Sequence, residues 1–349
     1  MPICKNVQAL DPYTPGEQPK SPQIIKLNTN ENPYPPSPKV GEAIRAFDYR
    51  RLRLYPDPLF IKLRERLAEL NDCTPEQVFI GNGSDEVLSL CTRAFAEVGT
   101  GTIGYMVPSY SLYPVLADIR GARRAPVELP PDFSWRLPAD YNADLFFLAN
   151  PNAPTSIRQS VDTVAAFCRQ MKGIVVIDEA YADFADENCM ALATAKGNTN
   201  TLVSRTFSKS FSLAGLRFGH LVGPVELISA VYKIKDSYNM DMLAQLIGLA
   251  ALSDLPYMRD NVKHIRATRS RFANDLRERG WTVCDSQTNF VFARPPDGDA
   301  ARVFEALKRQ HIFVRYFPAP STREYLRISM GTDEQMATVL AALDGCAKK

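Results

Sequence analysis

The sequence IVVIDEAY, residues 174–181, gives the clearest indication of the fold. Four consecutive apolar residues lead directly into Asp178. A strand that is apolar on both faces is typical of a parallel sheet covered by helices. An aspartate at the carboxyl end of such a strand lies where α/β sheets bind ligands. We therefore expect an α/β protein with a ligand site at Asp178, although an aspartate taken alone is also a common helix cap.

Strand-like and helix-like segments alternate on both sides of this stretch. Besides residues 174–178, we predict strands over residues 78–80, 102–107, 123–128, 144–149 and 201–204. Helices are predicted over residues 59–70 and 161–171, and a third follows residues 81–86 and ends at Phe95. This order of elements, between about residues 75 and 225, predicts a mostly parallel sheet.

The rest of the sequence predicts a smaller α+β unit and an arm. We expect helices over residues 224–251, 257–279, 300–310 and 334–343, and strands within 281–293, 312–317 and 325–329. Frequent prolines favour an extended arm at the start of the chain. We expect three parts: an N-terminal arm, 1–40, packing with the small domain; a large ligand-binding domain, 41–250; and a small C-terminal domain, 251–349.

The composition excludes several classes of protein. The chain has 349 residues, 45% of them hydrophobic, and 41 basic against 39 acidic side chains. A net charge of +2 gives no broad electrostatic surface for nucleic acid or an anionic membrane. No apolar run approaches the roughly 20 residues that span a bilayer, and the N-terminus lacks the apolar segment of a signal peptide. Seven cysteines without a CxxC pair indicate reduced thiols and a cytoplasmic protein.

Two motif-like features carry no function. GTGTIG, residues 99–104, matches a dinucleotide fingerprint, but a helix precedes it and a strand follows, which is the reverse of the required order. The three histidines, His220, His264 and His311, share no ligand spacing. We expect no metal site.

A second strand end brings a reactive side chain. The predicted strand 201–204 leads into RTFSKS, residues 205–210, which places Lys209 among hydroxyl groups. Thr206, Ser208 and Arg217 together form a candidate anion cradle. A lysine amine can form a Schiff base once desolvation or nearby cations lower its pKa from about 10.4.

These features predict pyridoxal phosphate as the cofactor. The lysine would hold the aldehyde, the acid at the neighbouring strand end would keep the pyridine nitrogen protonated, and the cradle would hold the phosphate. GNGSDE, residues 81–86, adds backbone donors, because its glycines permit close approach and a helix N-terminus follows.

The motifs of this chain, in order, resemble those of the fold-type I aminotransferases, and among them the histidinol-phosphate aminotransferase family. The resemblance covers nearly the whole chain. It rests on LDPY at 10–13, LNTNENP at 27–33, YPD at 55–57, GNGSDE at 81–86, PSY at 108–110, NPNAPT at 150–155, DEAY at 178–181, SK at 208–209, GLR at 215–217 and YLRIS at 325–329.

The resemblance implies fold type I, with a mostly parallel sheet of seven strands in the large domain and a smaller α+β domain. It implies that Lys209 carries the cofactor as a Schiff base and moves the substrate proton. Asp178 would pair with the pyridine nitrogen, and Tyr181 would donate to the phenolic oxygen. Tyr110 would stack on the ring, with a place in the core as its alternative.

The resemblance also implies the remaining contacts. The phosphate would be surrounded by Ser84, Asp85, Thr206, Ser208 and Arg217. Tyr55 would reach it from the partner subunit, which makes the enzyme a homodimer. On the substrate side, Arg327 would bind a carboxylate, with a surface arginine as the alternative, and Arg315, Tyr13 and Asn289 are further candidates.

The implied reaction transfers an amino group between L-histidinol phosphate and 2-oxoglutarate, in histidine biosynthesis. Three alternatives stay open. An aromatic amino-acid aminotransferase would use the same scaffold. A threonine-phosphate decarboxylase would use the same cofactor but break another bond. A regulator would retain the fold without the reaction.

The chain departs from the family pattern at two positions. The family usually shows Asn-Asn-Pro-Thr-Gly, and here Ala153 replaces the second asparagine and Ser156 the glycine. Either Asn152 contacts the phenolic oxygen instead, or Tyr181 does so alone. We expect the loss of one donor to raise the pKa of the cofactor Schiff base, because that donor stabilises the anionic oxygen.

Overall fold

A seven-stranded sheet forms the centre of the fold. The computed structural model describes residues 3, 5–8, 10, 17–18, 24–136, 138 and 140–346. The strands are β1 (Ile25–Lys26), β2 (Val78–Gly81), β3 (Thr102–Val107), β4 (Arg123–Glu128), β5 (Leu145–Ala149), β6 (Ile174–Asp178), β7 (Thr201–Thr206), β8 (Gly219–Val222), β9 (Thr282–Val283), β10 (Phe290–Arg294), β11 (Ile312–Phe313), β12 (Arg315–Tyr316) and β13 (Leu326–Ser329).

Helices cover both faces of this sheet and one face of a smaller one. They are α1 (Lys5–Gln8), α2 (Pro38–Ala46), α3 (Ile61–Leu70), α4 (Ser84–Phe95), α5 (Leu112–Arg120), α6 (Val161–Gln170), α7 (Met190–Thr194), α8 (Val225–Tyr232), α9 (Met242–Leu252), α10 (Leu255–Glu278), α11 (Ala300–Arg309) and α12 (Asp333–Cys346). No helix in these described ranges is both long enough and apolar enough to cross a bilayer.

The large sheet has the order β2-β8-β7-β6-β5-β3-β4. Six strands run parallel, and β8 runs antiparallel to both of its neighbours. Strand β5 is buried over its whole length. Phe146 and Leu148 face one hydrophobic layer, whereas Leu145 and Phe147 face the other. This period of two on a doubly covered sheet confirms the mostly parallel α/β fold.

The second sheet is antiparallel, with the order β12-β13-β10-β9. It packs with α10, α11 and α12 around a separate hydrophobic cluster that includes Leu27. Strand β1 pairs in parallel with β11, so residues 25–26 lie against this second unit. The domain boundaries at residues 40 and 250 stay predictions.

Three sequence-based expectations for secondary structure were wrong. The expected helix 224–251 is two helices, because Asp241 caps α9 by accepting a hydrogen bond from Ala244. The expected strand 312–317 is two strands, and they belong to different sheets. Helix α2 begins inside the expected extended arm, since Pro38 stands in its first turn, where proline is tolerated.

Strand β8 was not predicted from the sequence. It has four residues, GHLV, and every one of them is buried. Gly219 and His220 carry no apolar strand signal, so that only Leu221 and Val222 point to a strand in the sequence.

Candidate active site

Two adjacent parallel strands place the principal side chains at one edge of the sheet. Asp178, the last residue of β6, lies beside Ser204 of β7. The chain then continues past the end of β7 at Thr206 to Lys209. The acid and the lysine therefore meet at the carboxyl edge, where the parallel arrangement exposes a crevice for a ligand.

Asp178 is buried and hydrogen-bonded. Its Oδ2 accepts from the Tyr113 hydroxyl at 2.9 Å, and its Oδ1 accepts from the Ala180 amide at 3.2 Å. Burial raises the pKa of Asp178 to about 6, although the Tyr113 hydrogen bond opposes the shift. A carboxylate held in such an environment gains from a cationic partner, which a protonated pyridine nitrogen would supply.

Lys209 is partly buried, with its amine directed to the site. The Nζ donates to the Thr29 carbonyl oxygen at 3.0 Å and lies 5.8 Å from the centroid of the Tyr181 ring. Loss of hydration, together with the smaller effect of the charge of Arg327, lowers the pKa of Lys209 to about 8. A larger fraction of the amine is thus neutral near pH 7, as a nucleophile requires.

The predicted phosphate cradle brings together three segments of chain. Gly219 of β8 pairs with Thr206, and a Cβ on Gly219 would come within 2.5 Å of the Ser84 amide nitrogen. Ser84 begins α4, whose N-terminal amides favour an anion. The Ser208 amide donates to the Thr206 hydroxyl at 3.2 Å. The absence of a side chain at Gly219 is what lets the helix and the two strands approach.

Arg217 and Asp85 form an exposed ion pair at this cradle. Arg217 donates to Asp85 at 3.0 Å, and the Tyr110 hydroxyl donates to the same carboxylate at 3.1 Å. A carboxylate repels a phosphate, so Asp85 fits the cradle through its amide and by orienting Arg217 and Tyr110. The guanidinium also lies over Gly83, where a Cβ would come within 2.6 Å of it.

The hydrogen bonds of the 150–156 loop bear on the choice left by Ala153. The Asn152 amide nitrogen donates to the Pro108 carbonyl at 3.0 Å and to Thr155 at 2.9 Å. Both of its N–H groups are therefore used within the protein, which favours Tyr181 alone at the phenolic oxygen. Ser156 adopts φ 66°, a left-handed conformation that explains why glycine is usual there.

Two arginines face each other on the second sheet. Arg315 lies directly opposite Arg327 in the antiparallel pairing of β12 and β13. Arg327 donates to the Asn28 carbonyl at 2.8 Å. Asn289 is fully buried, and its amide donates to the Asn30 carbonyl at 3.0 Å. Arg315 and Arg327 suit anion binding, whereas Asn289 holds the segment at Asn30.

Tyr55 lies apart from this group. Tyr55 is 78% exposed and stacks on Tyr238 with a centroid distance of 4.3 Å. Its place across a subunit interface stays a prediction. Tyr13 falls outside the described residues.

Sequence reasoning missed two contributors. The segment 28–32 lines the site, since it contacts Lys209, Tyr181 and Arg327. In the sequence this segment lies within the polar run LNTNENP, residues 27–33, which is a family motif without a predicted role in the site. Tyr113 was also missed, and only its spacing of three residues from Tyr110 hinted that both share a face of one turn.

The residues present fit pyridoxal phosphate. The amine of Lys209, the carboxylate of Asp178, the Tyr181 hydroxyl and a cradle that a side chain at Gly219 would fill correspond to four different groups of that molecule.

Comparisons with known proteins agree with this geometry. Residues 22–343 match the family model for aminotransferase class I and II. The chain is 46% identical to a histidinol-phosphate aminotransferase of Syntrophotalea carbinolica over 98% of both chains. It is 44% identical to one of Geobacter sulfurreducens, over 98% of this chain and 99% of that one.

A solved structure is similar as well. It is the histidinol-phosphate aminotransferase from Sinorhizobium meliloti in complex with pyridoxal-5'-phosphate, with a TM-score of 0.88 and 25% identity. The similarity covers 99% of this chain and 98% of that chain. Because the family model matches this chain over residues 22–343, the chain belongs to the class I and II aminotransferases.

Proposed function

We propose that this aminotransferase uses pyridoxal phosphate bound to Lys209 to transfer an amino group between L-histidinol phosphate and 2-oxoglutarate, in histidine biosynthesis. The observation that carries the proposal is the placement of the Lys209 amine at the same edge of the sheet as the buried Asp178 carboxylate and the anion cradle at Gly219 and Ser84. The names of the relatives at 44–46% identity support the choice of substrate.

The cofactor, when bound, supplies an electron sink for the charge that develops when the substrate loses a proton. The protein residues then have separate tasks. Lys209 accepts and returns that proton at Nζ, which its lowered pKa allows near neutral pH. Asp178 holds a positive charge opposite its carboxylate. The N-terminus of α4, with Thr206, Ser208 and Arg217, holds the phosphate group.

The arginine pair supports an anionic substrate. Like charges placed opposite each other across two strands destabilise the sheet, and a bound anion removes that cost through charge-assisted hydrogen bonds. L-Histidinol phosphate carries a phosphate, and 2-oxoglutarate carries two carboxylates. Arg315 and Arg327 can therefore serve both substrates in turn, as ping-pong kinetics require.

A substrate panel separates the proposal from its alternatives. Histidinol phosphate, phenylalanine and threonine phosphate are each added to the cofactor-loaded enzyme, and the visible absorbance of the cofactor is followed. We expect histidinol phosphate to bleach it fastest. Faster bleaching by phenylalanine would favour an aromatic aminotransferase, and release of carbon dioxide from threonine phosphate would favour a decarboxylase. Absence of any bound chromophore would favour a regulator.

The position of the cofactor is tested by mass spectrometry. Borohydride treatment of the loaded enzyme is expected to attach a pyridoxyl mass to the peptide that contains Lys209. The Lys209→Ala variant is the control and should give no labelled peptide. A label on another lysine would reject the assignment of Lys209.

We also propose a homodimer in which Tyr55 enters the partner's site. An exposed apolar surface around Tyr55 supports it, formed by Tyr49, Leu52, Leu54, Leu59 and Ile61, each between 48% and 76% exposed. An apolar surface of this kind marks an interaction site. The free thiols of the six described cysteines support a cytoplasmic location.

A further inference from the structure

Asn30 is the most completely hydrogen-bonded residue of the segment that lines the site. It is 1% exposed and adopts φ 57°. Its backbone amide donates to the Ser329 hydroxyl at 3.0 Å, and its carbonyl accepts from the Asn289 amide at 3.0 Å. Such a residue is fixed in position by the second sheet and by the loop before β10.

The side chain of Asn30 also links Ser329 to the Tyr181 hydroxyl through hydrogen bonds. Its Oδ1 accepts from the Ser329 hydroxyl at 2.9 Å. This contact fixes the amide orientation, so that Nδ2 donates to the Tyr181 hydroxyl at 2.9 Å. A hydroxyl that accepts a hydrogen bond becomes a stronger donor, because hydrogen bonds in a chain polarise one another.

Strand β13, which contains Ser329, also carries the predicted substrate-binding arginine. Arg327 and Ser329 are two residues apart on β13 and therefore share a face of the sheet. The strand that carries Arg327 is thus joined to Tyr181 through a single side chain, that of Asn30.

We propose that Asn30 is a positioning residue for the phenolic edge of the cofactor, orienting and polarising the Tyr181 hydroxyl where Ala153 no longer supplies the usual asparagine. This inference rests on the proposed use of pyridoxal phosphate, and it does not depend on which amino donor is used. Asn152 does not fill this role, since its N–H groups are bound to Pro108 and Thr155.

The test is a pH titration of the visible absorbance of the cofactor-loaded enzyme without substrate. Asn30→Ala should raise the pKa of the cofactor Schiff base by roughly half a unit. The reason is that the Tyr181 hydroxyl loses the hydrogen bond from Asn30 and becomes a weaker donor. Asn30→Gly is the second variant. Glycine adopts φ 57° without strain, so it removes the side chain even if alanine destabilises the backbone.

A double-mutant cycle with Tyr181→Phe shows whether Asn30 acts through Tyr181. Asn30→Gly should produce no additional shift in the Tyr181→Phe background. Asn200→Ala is the matched control, because Asn200 holds three carbonyls away from the site, at Cys168, Met171 and Gly173. It should lower the melting temperature and leave the absorbance titration unchanged.

Two results would overturn the proposal: an unshifted titration in Asn30→Gly, or an equal shift with and without Tyr181. Failure of the wild-type protein to bind pyridoxal phosphate is a different result, and it would reject the proposed function.

Discussion

Arg315 and Arg327 lie directly opposite each other on β12 and β13, and both guanidinium groups lie over the ring of Phe317. Their distances to the ring centroid are 5.5 and 5.4 Å. The aromatic ring partly offsets the repulsion between the two cations.

The first prediction concerns this pair. Arg327→Ala should lower kcat/KM for both half-reactions by roughly 100-fold, since a bidentate charge-assisted contact is lost. Arg315→Ala should cause a smaller loss. The half-reactions are measured separately, by stopped-flow absorbance with histidinol phosphate and with glutamate. Arg309→Ala, an exposed arginine on α11, is the control. Unchanged kinetics in Arg327→Ala would remove Arg327 from the substrate site.

The second prediction concerns the cofactor-free protein and Asp178. The pKa of Asp178 in the folded protein is about 6, above its ordinary value of 3.8, because the carboxyl group is buried. Folding therefore favours the protonated form. Its contribution to stability is complete below about pH 4 and is lost as the pH rises through 6, by up to about 3 kcal/mol.

In Asp178→Asn the side chain does not ionise, so the stability of the variant does not fall as the pH rises through 6. We expect urea unfolding of the cofactor-free variant to give a flatter pH profile than the wild type between pH 4 and 7, with the variant more stable at pH 7. Asp236→Asn, at an exposed position, should follow the wild-type profile. A wild-type pH profile in Asp178→Asn would show that the charged form of Asp178 does not destabilise the folded protein.

The third prediction tests the close approach at Gly219. A Cβ there would meet the Ser84 amide nitrogen at 2.5 Å, so Gly219→Ala must displace the start of α4. We expect a loss of about 1–3 kcal/mol in stability and at least a roughly tenfold weaker affinity for pyridoxal phosphate, because the helix terminus moves off the phosphate.

Gly215→Ala is a matched control at a glycine four residues before Gly219. A Cβ on Gly215 would meet nothing within 4 Å, so this variant should behave like the wild type. Fluorescence titration with pyridoxal phosphate and thermal unfolding measure both effects. Equal affinity in the two variants would argue against a phosphate site at α4.

The fourth prediction tests whether Tyr55 crosses a dimer interface. Lys209→Ala and Tyr55→Ala homodimers should both have low activity. In a mixed dimer, one site carries both defects and the other carries neither. Equal mixing should therefore restore about a quarter of the wild-type activity, since half of the dimers are mixed.

Native mass spectrometry confirms subunit exchange in the same sample. Activity that stays at the sum of the two parents, with mixed dimers present, would place Tyr55 outside the partner's site.

The sequence alone determined the α/β class, the two strand ends that carry Asp178 and Lys209, and the glycine-rich turn before α4. These features are local: an apolar run followed by a polar residue defines a buried strand and its end wherever the strand is placed. The motifs also determined the family, because their order along the chain is preserved independently of the packing.

The residues that surround the Lys209 amine could be identified only from the folded protein. Asn30 and Tyr181 are 151 residues apart, and Tyr113 and Asp178 are 65 apart. Arg315 faces Arg327 only because β12 and β13 pair in one register. No periodicity encodes such contacts, since they depend on how the sheets and the segment 28–32 pack together, and that packing is settled by the burial of the whole chain.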